Sequence, residues 1–148
     1  MNYLVCFCKH QLYERRIKVF GMNYANSFRD LEVYRLSREL AKEIFEITKK
    51  FPAEERYSLT DQVRRSSRSV GAQIAEAWAK RRYEKHFISK LTDADGEQQE
   101  TQHWIEIAFD CDYITPELMK NLQDKCSSIG KMLSTMMSKS NQFCQNIH

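Results

Sequence analysis

Apolar residues recur at steps of three and four along two stretches in the first half of the chain, which is the spacing of one helix face. The first stretch begins near Ser27, which stands at capping-box spacing from Asp30, and ends before Pro52. The second begins at Ser58, with Asp61 in a second cap pair. The apolar faces predicted for these two helices are Val33, Leu36, Leu40, Ile44, Ile47 and Phe51 in the first, and Leu59, Val63, Ser67, Val70, Ile74 and Trp78 in the second.

Two further stretches continue the pattern in the second half. A third helix is predicted from about Tyr83 to Cys111, and a fourth opens with Thr115 as N-cap and Pro116 at the first helical position, ending near Ser138. Their inward positions are Phe87, Leu91, Ala94, Gln98, Thr101, Ile105 and Ala108, then Leu118 or Met119, Leu122, Cys126, Ile129, Leu133 and Met136. Four amphipathic helices joined by short connections predict an all-α fold, an antiparallel up-down-up-down four-helix bundle.

The amino-acid composition agrees with an all-α fold, and the periodic pattern gives the bounds of the bundle. The chain has 4 Gly and 2 Pro in 148 residues, too few for the many turns of a sheet protein. The bundle is predicted to occupy residues 27–138. Residues 1–26 show no sustained period and are predicted to be an N-terminal extension, a loose arm or a short helix. Residues 139–148 are predicted to be a frayed tail.

Several classes of protein are disfavoured by the sequence. No apolar run approaches the roughly 18 residues that span a bilayer, so no membrane partner is expected. The five cysteines are odd in number and scattered, and no Cys-x-x-Cys pair occurs, which argues against a disulfide framework and a zinc ribbon. These features favour a reduced, cytoplasmic protein.

The net charge of +3 conceals a separation of charge along the chain. Residues 62–82 hold six basic residues and one acid, whereas residues 93–117 hold eight acids and no Lys or Arg. The planar guanidinium of arginine can donate two hydrogen bonds to phosphate oxygens, and Tyr83 could stack on an unpaired base. The basic segment therefore indicates nucleic-acid contact. The same segment could also be a solvated helix face. The acidic segment could instead pair with the basic face of a neighbouring subunit and bury its arginines.

Motifs for chemistry are incomplete. Di-metal bundles need two Glu-x-x-His motifs and two further carboxylates. Here Glu100 and His103 form one such motif, Glu76 could supply a single carboxylate, and no second motif occurs. No Gly-x-Ser-x-Gly elbow or glycine-rich phosphate loop is present either. We therefore expect no catalytic residue, metal or cofactor, and assign Glu76 and Glu100 to polar contacts between helices or subunits.

Four segments together resemble the four-helix-bundle proteins of the 23S ribosomal RNA intervening-sequence family. They are Phe28-Arg29-Asp30-Leu31-Glu32-Val33-Tyr34, Phe51-Pro52-x-Glu54-Glu55-Arg56-Tyr57-x-Leu59-Thr60-x-Gln62-Val63-Arg64-Arg65, Ile74-Ala75-Glu76-Ala77 and Glu100-Thr101-Gln102. The resemblance covers roughly residues 28–114, and the fourth helix fits in shape rather than motif. This chain departs from the family pattern at Ala77, where glycine is frequent, and at Asp93 and Asp95, where basic or small residues are common.

The resemblance implies a bundle that assembles as a ring, with pentamers in the family, and no established catalytic activity. It also implies a relation to the accessory variability proteins of diversity-generating retroelements, basic pentamers to which binding of nucleic acid and a reverse transcriptase is ascribed. Arg64 and Arg65 are the arginines that carry over.

The sequence therefore predicts a non-enzymatic homo-oligomer, a pentameric ring, that binds RNA or DNA through phosphates without reading bases in a groove. A reverse transcriptase or another protein is a further candidate partner. One alternative is a scaffold that buries its arginine face between subunits, and a remote one is a di-metal carboxylate enzyme. The residues predicted to bind nucleic acid are Arg64, Arg65, Arg68, Lys80, Arg81, Arg82 and Lys85.

Overall fold

Four long helices form the structure. The computed structural model describes residues 18–19 and 23–144 of the chain. The long helices are α1 (Glu32–Thr48), α2 (Leu59–Lys80), α3 (Glu84–Asp110) and α4 (Pro116–Ser138), followed by the short α5 (Ser140–Phe143). Two-residue strands β1 (Lys18–Val19) and β2 (Asn23–Tyr24) pair antiparallel ahead of α1. The predicted all-α fold with four long helices is confirmed.

Each long helix packs against two others: α2 contacts α1 and α3, and α4 contacts α3 and α1. Between α2 and α3, Thr101 Oγ1 donates a buried hydrogen bond of 2.9 Å to Ser66 Oγ. Lys90 Nζ of α3 donates one of 3.2 Å to Gln73 Oε1 of α2. These contacts hold residues 66–73 of α2 beside residues 90–101 of α3.

The inward faces predicted for α2 and α3 are buried at every position, and so are the predicted positions of α4 from Leu122 to Met136. Leu118 and Met119, the alternatives for the first position of α4, are both only half-buried. The face predicted for α1 is partly wrong, because Leu36, Ile47 and Phe51 are only half-buried. Ser37 and Thr48 are buried in their place. Each hydroxyl bonds a carbonyl of its own helix, Tyr34 O at 2.7 Å for Ser37 and Ile44 O at 2.7 Å for Thr48. Small, internally satisfied side chains can therefore lie where α2 comes close to α1.

The predicted capping box of Ser27 and Asp30 is present, but it caps a short 3-10 turn, Phe28–Asp30, and α1 itself begins at Glu32. The predicted Thr115 cap is also present, since its side chain accepts from Leu118 N at 3.2 Å.

The cap predicted from Ser58 and Asp61 is wrong. Ser58 Oγ makes no capping bond and instead donates to Glu55 Oε2 at 2.5 Å. The same carboxylate accepts from Leu59 N at 3.2 Å. A carboxylate that precedes the helix satisfies its first free N–H, and Glu55 therefore replaces the serine.

The C-terminal segment differs from the predicted frayed tail over residues 139–144. Phe143 is buried in α5 and stacks on Phe87, with ring centroids 5.7 Å apart, because α5 packs its ring against α3. Residues 145–148 lie outside the described residues, as does most of the predicted extension at residues 1–26, where the described part includes the β1–β2 pair.

Candidate nucleic-acid interface

The predicted basic residues fall into two patches on α2 and the turn that follows it. Arg64, Arg65 and Arg68 lie in the N-terminal half of α2. The turn patch, by contrast, surrounds the connection from α2 to α3 and contains Lys80, Arg81, Arg82 and Lys85. Twelve residues separate Arg68 from Lys80, which is about 18 Å along the axis and about 120° around it. The predicted set is therefore two patches rather than one surface.

A fourth arginine that was not predicted joins the first patch. Arg56 ends the 3-10 turn before α2 and lines the same shallow surface depression of about 460 Å³ as Arg64, Arg65 and Arg68. Arg64 and Arg68, four residues apart, follow one side of α2, and Arg56 lies three residues before the helix begins. We call these four residues the arginine stripe.

Two members of the arginine stripe rest on one aromatic ring of α1. The guanidinium carbons of Arg64 and Arg68 lie 4.8 Å and 5.6 Å from the centroid of Phe45. Arg64 Nε also donates a hydrogen bond of 2.7 Å to Thr48 Oγ1. Arg64 is therefore held in place by α1, whereas Arg68 is exposed.

Charge in the arginine stripe is largely unneutralised within the protomer. Arg65 Nη2 lies 3.8 Å from Glu100 Oε1 and donates a hydrogen bond of 3.0 Å to Gln62 Oε1. In the part of the chain that the structure describes, none of the other three arginines has an ion pair. Exposed arginines without carboxylate partners, such as Arg56 and Arg68, attract phosphate groups.

The turn patch differs from the arginine stripe because the Arg81 side chain contacts Trp78 of α2 and is not free in solvent. Its guanidinium lies 4.1 Å from the Trp78 ring centroid, and Nη1 donates to Trp78 O at 2.6 Å. Burial lowers the pKa of Arg81 from its usual value, and Arg81 Nε has no hydrogen-bond partner among the described residues. Lys80, Arg82 and Lys85 are exposed.

Tyr83, the residue considered for base stacking, lies within the turn patch and is 58% exposed. Its ring centroid is 5.5 Å from that of His86 and 5.7 Å from the guanidinium carbon of Arg82. The Tyr83 ring therefore already contacts His86 and Arg82.

Glu76 and Glu100 contact neighbouring helices and side chains within the protomer. Glu76 Oε2 lies 3.1 Å from Lys90 Nζ, which also lies 3.2 Å from Asp93 Oδ2. Hydrogen bonds to these two carboxylates raise the pKa of Lys90. Glu100 Oε1 also accepts from Trp104 Nε1 at 3.1 Å. Part of the acidic segment of α3 is thus engaged inside the molecule.

Other chemistry has little support in the described residues. They contain no group of three or more His, Cys, Asp or Glu side chains that could hold a metal ion. The His103 ring packs against Trp104 with centroids 4.7 Å apart. None of the helices in the described part is long and apolar enough to cross a membrane.

Sequence reasoning missed Arg56 and Tyr57 because the basic segment was counted from residue 62. Arg56 lies outside α2, six residues before that segment, and only the fold brings it to the depression that Arg64 and Arg68 line.

Comparison with known proteins finds a matching family and matching solved structures. The model of a family described as 23S rRNA-intervening sequence protein matches residues 29–135. A crystal structure of a protein with unknown function from the S23 ribosomal protein family of Bacteroides thetaiotaomicron is 31% identical, with a TM-score of 0.66. That alignment covers 72% of this chain and 95% of the other. No curated protein matches the chain.

Proposed function

The chain belongs to the 23S rRNA-intervening sequence protein family, and from this we propose that it binds the phosphate backbone of RNA or DNA with its arginine stripe. The observation that carries the proposal is that four arginines line one depression, and that two of them, Arg56 and Arg68, are exposed without an ion pair in the described part of the chain. Ser69 lines the same depression and adds a hydroxyl donor for phosphate oxygens, while Asp61 is the single carboxylate among its lining residues. The proposed role is non-enzymatic and cytoplasmic, and it requires no cofactor.

We further propose that the four helices form an antiparallel up-down-up-down bundle and that the bundle assembles as a homo-oligomeric ring, a pentamer. The order in which residues of α2 meet residues of α3 supports an antiparallel arrangement of these two helices. Ser66 of α2 meets Thr101 of α3, whereas the later Gln73 meets the earlier Lys90. The ring follows from the resemblance described above. A reverse transcriptase or another protein remains a proposed partner of such a ring.

A second candidate function is a scaffold in which neighbouring copies bury the arginine stripe. A second depression between α1 and α2 favours it, because Gly71, Ala72 and Ala75 line it beside Arg38 and Arg68. Small side chains allow another backbone to approach closely. The acidic residues of α3 would then face these arginines from the adjacent copy.

A salt titration tests phosphate binding. The affinity of the protein for a fluorescent 15-nucleotide RNA is measured by anisotropy at several salt concentrations. For a single strand, log affinity falls with log salt by about 0.7 per phosphate contact. We expect Arg56→Ala/Arg68→Ala to reduce this slope by about 1.4. Lys120→Ala/Lys131→Ala removes the same charge from exposed positions of α4 and should leave the slope unchanged. Equal slopes in wild type and the arginine variant would refute phosphate binding by the arginine stripe.

Light scattering separates the two candidate functions. If the arginine stripe binds nucleic acid, the double arginine variant keeps the wild-type mass and loses RNA binding. If it is a subunit interface, the same variant dissociates into smaller species while the lysine control does not.

A further inference from the structure

Tyr57 stands beside Arg56 at one end of the arginine stripe and is 86% exposed. The structure places two exposed large hydrophobic side chains in its described part, Tyr57 and Tyr83, and Tyr57 is the more exposed. The Arg56 guanidinium carbon lies 5.7 Å from the Tyr57 ring centroid. An open aromatic face thus adjoins a row of positive charges.

The turn that carries Tyr57 is anchored on both sides. The Glu55 carboxylate accepts from Ser58 Oγ, from Leu59 N and, at 3.1 Å, from Tyr113 Oη. Tyr113 belongs to the connection between α3 and α4, so the turn is tied to a second part of the bundle. These bonds lower the pKa of Glu55, which keeps its carboxylate ionised and able to accept at neutral pH. The aromatic ring therefore projects from a fixed backbone and not from a loose loop.

We propose that Tyr57 stacks on an unpaired base of a single-stranded nucleic acid whose phosphates lie along the arginine stripe. This proposal rests on the proposed function and specifies its ligand. An aromatic platform beside a basic groove is the arrangement that holds single strands without regard to sequence.

The position of Tyr57 favours a single strand over a duplex. Bases in a duplex are paired and stacked on one another, so they offer no free face to a tyrosine outside the helix. The phosphate contacts of the arginine stripe accept either form. Tyr57 is therefore the residue that would discriminate between them.

Tyr83 provides a matched control within the same chain. It is also an exposed tyrosine next to an arginine, but it lies in the turn patch and its ring contacts His86. If stacking belongs to the arginine stripe, removing Tyr57 weakens binding and removing Tyr83 does not.

The experiment measures anisotropy of labelled U15 RNA, dT15 DNA, a 15-mer abasic strand with the same phosphates, and a 15-base-pair duplex. Tyr57→Ala should weaken binding of U15 or dT15 by about 5- to 150-fold, the range for loss of one stacked base. Tyr57→Phe should bind within about twofold of wild type because the ring remains. Tyr57→Leu should resemble Tyr57→Ala. Far-ultraviolet circular dichroism verifies that each variant is folded.

The abasic strand and the duplex isolate the stacking contribution. Wild type and Tyr57→Ala should have equal affinity for the abasic strand and equal affinity for the duplex, because neither of these probes presents a free base to the tyrosine. The stacking proposal is overturned if Tyr57→Ala binds U15 and dT15 as well as wild type, or if Tyr83→Ala causes the loss instead. In those cases, a reduced salt dependence of affinity in the double arginine variant would still support phosphate binding by the arginine stripe. If wild type binds none of the four probes, the proposed function itself fails.

Discussion

Two helical glycines, Gly96 and Gly130, should respond in opposite ways to the same substitution. Gly96 lies in the middle of α3, is exposed, and a Cβ built there meets no atom within 4 Å. Alanine at an exposed helix interior is more favourable than glycine by about 0.5–1 kcal/mol, because it restricts the unfolded chain and suits the helix. We therefore expect Gly96→Ala to stabilise the protein by about that amount.

Gly130 of α4 has a different environment. A Cβ there would lie 3.0 Å from Gln98 Nε2 and 3.5 Å from Asp95 Oδ1. Gln98 is buried, donates to Asp95 Oδ1 at 3.0 Å and accepts from Gln102 Nε2 at 2.8 Å, so moving it disturbs two hydrogen bonds. Overpacking of this kind costs about 1–3 kcal/mol and exceeds the helix gain. The expected result is a net loss of up to about 2 kcal/mol.

Urea unfolding followed by circular dichroism measures both changes at one fixed protomer concentration, with thermal melts as a second readout. For a chain of this size, 1 kcal/mol corresponds to a shift of about 2–4 °C in Tm. The Gly96→Ala midpoint should rise and the Gly130→Ala midpoint should fall. A fall for Gly96→Ala would refute the reasoning, since it would mean that another surface covers this part of α3 in solution.

Three further predictions concern the turn before α2, the thiols and the C-terminal segment. The hydrogen bonds that the Glu55 carboxylate accepts lower its pKa below the ordinary value of 4.5. The stability that these bonds contribute is therefore present above pH 4.5 and is lost as the pH falls through the lowered pKa. The difference in Tm between wild type and Glu55→Gln should shrink in the same pH range, and a constant difference would contradict it. Peptide-resolved alkylation should modify exposed Cys111 rapidly and Cys126 only after unfolding, because burial raises the pKa of the Cys126 thiol to about 12; equal rates would contradict this. Phe143→Ala should lower the free energy of unfolding by about 3 kcal/mol, measured in urea, since its buried ring stacks on Phe87; an unchanged midpoint would show that the segment is unpacked in solution.

Periodicity predicted the helices well because the inward faces of α2, α3 and α4 are mostly apolar and keep their three-four spacing through the buried polar residues Ser67, Gln98 and Thr101. It failed on α1, where two polar side chains outside the predicted row are buried. Ser37 and Thr48 are buried with bonds to carbonyls of their own helix, and nothing in an apolar count reveals such bonds. Capping rules failed at Ser58 for a related reason, since Glu55, three residues before it, accepts the bond from Leu59 N.

The candidate site was only partly predictable. Charge counting found the arginines of α2, but it also gathered residues of the turn patch that lie about 18 Å farther along the axis. It could not show that Arg81 packs on Trp78 or that Arg64 bonds to Thr48, because both depend on geometry that charge does not encode.

Phe45 links the packing of α1 against α2 to the proposed binding surface. It lies beneath the guanidinium groups of both Arg64 and Arg68, and Thr48, one turn later on α1, accepts from Arg64 Nε. A cation–π contact at an exposed site contributes only about 0.5–1 kcal/mol, whereas a hydrogen bond to a charged group contributes about 1.5–3 kcal/mol. Phe45 therefore orients the guanidinium of Arg68 without holding it away from a phosphate. Arg64, with its additional bond to Thr48, is more firmly fixed. The arginine stripe accordingly combines one anchored arginine with exposed ones, so that part of the ordering needed for ligand binding is already accomplished in the free protein.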